Sequence, residues 1–153
     1  LRSQRGFTLI ELMVVVAIVA IILAAGVMSL GGRDNQQHRQ HWAQIQGLLQ
    51  TACDQAAFNQ KIYLVAVTEQ GLEAFVREQG EWLAAKMNKV NWPQDTKPRW
   101  QLDALLQERW QLPEPGWMCW PSGLVSEGEI GLSRTDGAQT LRWDEGLYFE
   151  FDH

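Results

Sequence analysis

From Leu12 to Leu30 the chain runs for 19 consecutive residues without a charged side chain, nearly all of them Leu, Ile, Val, Ala or Met. At about 1.5 Å per residue, a helix of that length covers roughly 28 Å, close to the hydrocarbon thickness of a bilayer. A core helix of a globular domain would show one polar face, and this run has none. A cleaved secretory signal has a shorter apolar stretch, about 7–15 residues, ending at a small-residue site. Ala24-Ala25-Gly26 offers one version of that reading, but the length and uniformity of the run favour a membrane span. Arg2 and Arg5 precede it, whereas Arg33 follows it and is succeeded at once by Asp34. Because topology responds to Lys and Arg and gives Asp little weight, the N-terminus is expected in the cytoplasm and the residues after the span outside it.

Glu11 departs from a plain anchor. It stands at the start of the span, behind Phe7, Leu9 and Ile10. A carboxylate at the centre of a membrane helix costs roughly 2.5–3.5 kcal/mol, and less at the interface. Glu11 is therefore either solvated among headgroups or matched by a cation. On a helix Phe7 would lie one turn away on the same face. A cut between Gly6 and Phe7 would thus create an α-amino group within reach of a carboxylate, its own or a neighbour's.

Arg5-Gly6-Phe7-Thr8-Leu9-Ile10-Glu11-Leu12, followed by the apolar run, resembles the class III signal of type IV pilins and type II secretion pseudopilins. The resemblance implies cleavage after Gly6 by a prepilin peptidase and N-methylation of Phe7. It also implies that Glu11 pairs with the N-terminal amine of an adjacent subunit during assembly. The organisation expected is a leader over residues 1–6, a transmembrane and assembly helix over 7–32, and a periplasmic globular domain over 33–153.

The globular part obeys ordinary rules. The whole chain is 46% apolar and 20% charged over 153 residues, enough for one packed core. Gly31-Gly32 is the first break in helical composition, and Asp34 or Asn35 can cap a restart. Trp42, Ile45, Leu49, Ala52 and Ala56 then recur at three- and four-residue intervals, with Leu48, Cys53 and Ala57 beside them. That spacing predicts an amphipathic helix of about 22 residues continuing the membrane helix, with a kink at the glycine pair as one option. After Asn59 the period changes to two. Ile62–Val67, Leu72–Val76 and Trp82–Ala85 read as strands of a meander. Residues 87–99, with Pro93 and Pro98, read as a loop. Leu102, Leu105, Leu106 and Trp110 suggest a short helix. Four further strands are expected at Trp117–Trp120, Glu129–Leu132, Thr140–Trp143 and Tyr148–Phe151. Grouped strands after a helix predict an α+β fold.

Asn59-Gln60-Lys61-Ile62-Tyr63-Leu64 entering a hairpin, and Trp120-Pro121-Ser122-Gly123 leading to Gly128-Glu129-Ile130-Gly131-Leu132, look like the corresponding segments of the GspH/FimT family of type IV pilin-like proteins. Within that family the chain is most similar to the minor pseudopilins of type II secretion. The resemblance implies a long N-terminal helix, membrane-spanning in its first half, packed on antiparallel β-sheets. It implies other minor pseudopilins and the major pseudopilin as partners, with the inner membrane as anchor and a place at or near the pseudopilus tip. Met28 stands where major pilins and pseudopilins usually carry a proline, which points away from a major subunit. The alternative within the family is a minor pilin of a type IV pilus, serving pilus assembly, adhesion or DNA uptake.

Other chemistry is thinly represented. His38 and His41 are three apart on one helix with no third ligand nearby, which suits a solvated face better than a metal site. Cys53 and Cys119 could form a bridge in an oxidising compartment or remain two buried thiols. All eight tryptophans lie after residue 41, and Trp92, Trp100 and Trp110 have Lys89, Lys97, Arg99 and Arg109 nearby. Residues 34–153 nevertheless carry ten Lys/Arg against seventeen Asp/Glu, a balance of −7, and such a surface is poorly suited to phosphate neutralisation. Nucleic acid is not an expected partner. No nucleophile–base pairing, phosphate loop or metalloprotease motif appears, so the chain is expected to act without catalysis and without a cofactor.

Overall fold

The computed structural model describes residues 5–152, with the side chains of residues 28–35 outside that description. Residues 1–4, Arg2 among them, and His153 therefore fall outside the described residues. Helix α1 covers Leu9–Asn59, a stretch of 51 residues. It is helical through Gly31-Gly32, so the expected restart at Asp34 or Asn35 does not occur. Two glycines cost about 1 kcal/mol each in a helix, and the strong helix formers on either side outweigh that. The chain divides into two compact units, Leu1–Gln40 and His41–His153.

In the first unit every described side chain from Arg5 to Val27 is exposed. Leu9–Val27 is long and apolar enough to cross a membrane. A helix that is hydrophobic all round, with its side chains exposed along this length, has the composition expected of a membrane anchor.

Among the described residues, the second unit holds residues 41–59 of α1 and nine strands. Strands β1 (Tyr63–Val67), β2 (Gly71–Glu78), β3 (Glu81–Ala84) and β6 (Gly116–Cys119) form one antiparallel sheet in the order β3-β2-β1-β6, with the two-residue β4 (Val90–Asn91) pairing the start of β2. Strands β5 (Lys97–Gln101), β7 (Gly128–Arg134), β8 (Gly137–Trp143) and β9 (Phe149–Asp152) form a second antiparallel sheet in that order. The segment expected as a loop over 87–99 thus contains β4 and the start of β5. Pro98 masked the second strand, because proline is excluded from sheet interiors but tolerated on an edge, and β5 is an edge.

Helix α1 ends where Gln60 takes a left-handed conformation and the Lys61 N–H donates back to the Ala56 carbonyl at 3.2 Å, a Schellman closure. The apolar stripe Trp42, Ile45, Leu49, Ala52 and Ala56 is buried against Tyr63, Val65 and Val67 of the first sheet and Ile130, Leu132 and Leu141 of the second. Helix α2 (Ala104–Trp110) is capped by Asp103, whose Oδ1 accepts from Leu105 N at 2.9 Å. Its Trp110 joins Phe75, Trp82 and Trp120 around Leu64, Ala66 and Met118 on the opposite face of the first sheet. Strand β1 is therefore buried on both faces, which is why Tyr63-Leu64-Val65-Ala66-Val67 shows no alternation.

Cys53 of α1 and Cys119 of β6 are joined in a disulfide, with Cα atoms 4.9 Å apart. Trp117 and Trp143 meet edge to face at 4.9 Å over Gly128. A Cβ at Gly128 would come within 2.3 Å of both rings, so glycine alone lets the two sheets close at this corner.

Candidate functional site

The N-terminal signature begins outside the helix. Residues 5–8 are not helical, and α1 starts at Leu9. Thr8 is the capping residue: its Oγ1 accepts from the Glu11 N–H at 3.3 Å, and its carbonyl accepts from the Leu12 N–H at 3.2 Å. Thr8-Leu9-Ile10-Glu11 has the spacing of a capping box. Glu11 also lies in the first turn of α1, where a negative charge is favoured by the helix dipole.

This corrects one expectation. Phe7 does not lie on a helical turn with Glu11, because Thr8 ends the helix before reaching it. Phe7 is instead an exposed residue ahead of the cap, 86% accessible. Gly6, whose α-carbon has open space around it, precedes it in the same non-helical stretch. The Gly6-Phe7 bond thus lies in a non-helical, exposed segment ahead of the cap, and the Glu11 side chain beyond it is exposed. Thr8 was not singled out in the sequence, although a threonine three residues before a glutamate and an apolar run carries the cap legibly.

The other candidates lie in the globular unit. Trp42, Trp117 and Trp143 are buried. The indole N–H groups of Trp42, Trp82, Trp92, Trp117 and Trp143 donate at 2.8–3.1 Å to Gln139 Oε1 and to the carbonyls of Trp110, Thr68, Gln101 and Ser126 respectively. Arg77 sits 5.3 Å from the rings of both Trp82 and Trp110. These rings pack the domain together, the role such buried indoles ordinarily play. A cleft of about 660 Å³ beside β7 and β8 of the second sheet is lined by Trp120, Leu124 and Trp143 together with Asp103, Glu127, Glu129 and Glu145. Ser126 also lines it, and its Oγ accepts from the Met118 N–H at 2.9 Å. Among the described residues, no group of three or more His, Cys, Asp or Glu side chains comes together to hold a metal ion. Lys61 and Arg142 are held more firmly protonated than usual by hydrogen bonds to Glu78 and Glu129. Both pairs are at the surface, where such contacts contribute little.

Comparison with known proteins draws these features together. The family described as "Prokaryotic N-terminal methylation motif" matches residues 1–27. The architecture is the pilin-like fold: the minor pseudopilin EpsH from the type 2 secretion system of Vibrio cholerae superimposes with a TM-score of 0.57 at 13% identity, over 72% of this chain and 91% of that one. The chain is 32% identical to the type II secretion system core protein G of Klebsiella michiganensis over 139 residues, covering 88% of this chain and 90% of the relative. It is 26% identical over 106 residues to the type II secretion system protein H of Pseudomonas aeruginosa, covering 67% and 62%. The chain belongs to the type II secretion pseudopilin family. It is a structural subunit with an N-terminal apolar helix and a methylation motif.

Proposed function

We propose that the chain is a minor pseudopilin, set at or near the tip of the type II secretion pseudopilus and supporting export of folded proteins across the outer membrane. The observation that carries this reading is the methylation motif and apolar helix joined to a two-sheet domain of the EpsH kind. The similarity to protein H and the presence of Met28 in place of the usual proline support a minor subunit. The similarity to core protein G supports the system without choosing the position.

On this reading residues 1–6 are a leader removed by the prepilin peptidase, and Phe7 becomes the methylated N-terminus. Residues 7–32 hold the subunit in the inner membrane and later pack among neighbouring helices, and residues 33–153 lie in the periplasm. Association between helices in lipid has no hydrophobic driving force, so a Glu11–amine pair supplies register and direction to subunit addition. The domain contacts sibling minor pseudopilins and the major pseudopilin, and does so without catalysis. The periplasm is oxidising, which suits the Cys53–Cys119 bridge.

Deleting the gene tests the assignment when exported enzyme activity and surface piliation are assayed together. The expected result is enzyme retained in the periplasm with normal pili. Normal secretion with lost or altered pili would overturn it in favour of a type IV pilus subunit.

A further inference from the structure

The second sheet ends in two edge strands of opposite charge. Lys97 and Arg99 project from β5, and Glu150 and Asp152 from β9; all four are exposed. Arg99 pairs with Gly131, Gly131 with Thr140, and Thr140 with Asp152. Residues directly opposite one another share a face, and so do residues two apart on a strand. The two cations and the two carboxylates therefore lie on one face of the sheet, at its opposite margins. Among the described residues Lys97 and Arg99 form no ion pair, while Glu150 stands opposite Arg142 and within its field, and Asp152 reaches Arg142 at 3.7 Å. No strand pairs the outer side of β5 or of β9 among the described residues.

Strand direction adds a second constraint. Each neighbour in the order β5-β7-β8-β9 is antiparallel, so in a sheet of four strands the two outer ones run in opposite directions. A second copy placed beside the first in the same orientation brings its β5 antiparallel to β9, the arrangement every pair in this sheet already uses. One register then matches all the charges: Asp152 opposite Lys97 of the second copy, and Glu150 opposite its Arg99. The same register sets Phe151 against Pro98 and Phe149 against Trp100 on the other face, where Phe151 and Trp100 are 43% and 36% exposed.

We propose that a second copy of this chain docks head to tail through its β5 edge onto the β9 edge. Pairing of like edges is disfavoured, because β5 against β5 opposes cations and β9 against β9 opposes carboxylates. Pro98 supplies no N–H, so the junction has fewer backbone bonds than an interior ladder, and the charge pairs fix its register. The contact is heterologous, so it leaves one free edge of each sign and can repeat. It rests on the sheet edges and not on the secretion assignment, and the two can fail separately.

The test is sedimentation of the full chain in detergent micelles, for the wild type and two charge-reversed variants, K97E/R99E and E150K/D152K. Tryptophan near-UV circular dichroism confirms that each variant is folded. Each variant alone should associate roughly tenfold more weakly than wild type, and raising salt should weaken the wild-type contact. An equimolar mixture should regain association, since the reversed β5 of one variant complements the reversed β9 of the other. Wild-type association in either single variant would overturn the proposal, as would a mixture without recovery. A wild type that associates only through its membrane helices, insensitive to both salt and reversal, would overturn it too.

Discussion

A chain carrying Glu11→Gln inserts into the membrane as well as the wild type but enters the pseudopilus at least about tenfold less, a change that corresponds to roughly 1.4 kcal/mol. Insertion is spared because a neutral side chain at this depth is less costly to bury than a carboxylate. On the proposed pairing, assembly should suffer because the amine of the arriving subunit loses the charge that would position it. The glutamine retains shape and hydrogen-bonding capacity, so the substitution isolates the charge. Glu11 also stands in the first turn of α1 behind the Thr8 cap, and a purely local capping role must be separated from pairing. Thr8→Ala removes the cap and leaves the charge, which costs about 0.5–2 kcal/mol of helix stability. It should reduce assembly less than Glu11→Gln does. Quantifying the subunit in sheared pseudopili and the enzyme in the medium measures both effects. Glu11→Gln subunits incorporated at the wild-type level would remove the pairing role.

The second large effect concerns the globular unit. Replacing Cys53 and Cys119 together with alanine should lower the unfolding free energy by about 4 kcal/mol. The loop they close has a sequence separation of 66 residues, and the entropy withdrawn from the unfolded chain grows with loop length. Both positions are in the core, 4% and 0% exposed, so part of any loss comes from missing side-chain volume. Comparing the double variant with reduced wild-type protein separates the two contributions. Denaturant unfolding followed by tryptophan signal reports the difference, helped by Trp117 two residues from Cys119. Counting thiols in denatured, unreduced protein gives a direct check. The expected count is zero, and two free thiols per chain would show that no bridge forms in the cell.

What the sequence made legible follows from the physics of each region. The apolar span stood out because lipid accepts no polar face, so length and composition favoured a membrane helix over a cleaved signal. The stripe from Trp42 to Ala56 was equally clear, since a helix packed on one side repeats at 3.6 residues. Strand β1 announced itself by the β-branched and aromatic run Ile62–Val67, and β2 and β3 by apolar stretches set off by turns at Gly71 and Gly80. The failures were specific. Gly31-Gly32 suggested an interruption because local propensity says nothing of the helix on either side. Strand β5 was hidden by Pro98, whose missing N–H matters in a sheet interior and not at an edge. The two-residue β4 exists only through its pairing with Gly71 and Leu72, a tertiary fact. At the signature, the residues Gly6, Phe7 and Glu11 could be picked out from the motif, but the helical relation between Phe7 and Glu11 could not be judged without locating the Thr8 cap. The opposed charges of β5 and β9 lie some fifty residues apart and become one surface only after β7 and β8 intervene.

The central claim is that this chain is processed at Gly6-Phe7 and built into a pseudopilus. The most direct measurement is mass spectrometry of the subunit recovered from purified pseudopili, with sequencing of its N-terminal peptide. The expected result is a chain beginning at Phe7, with that residue N-methylated. A chain that retains residues 1–6, or one found in the membrane but never in the filament, would contradict it.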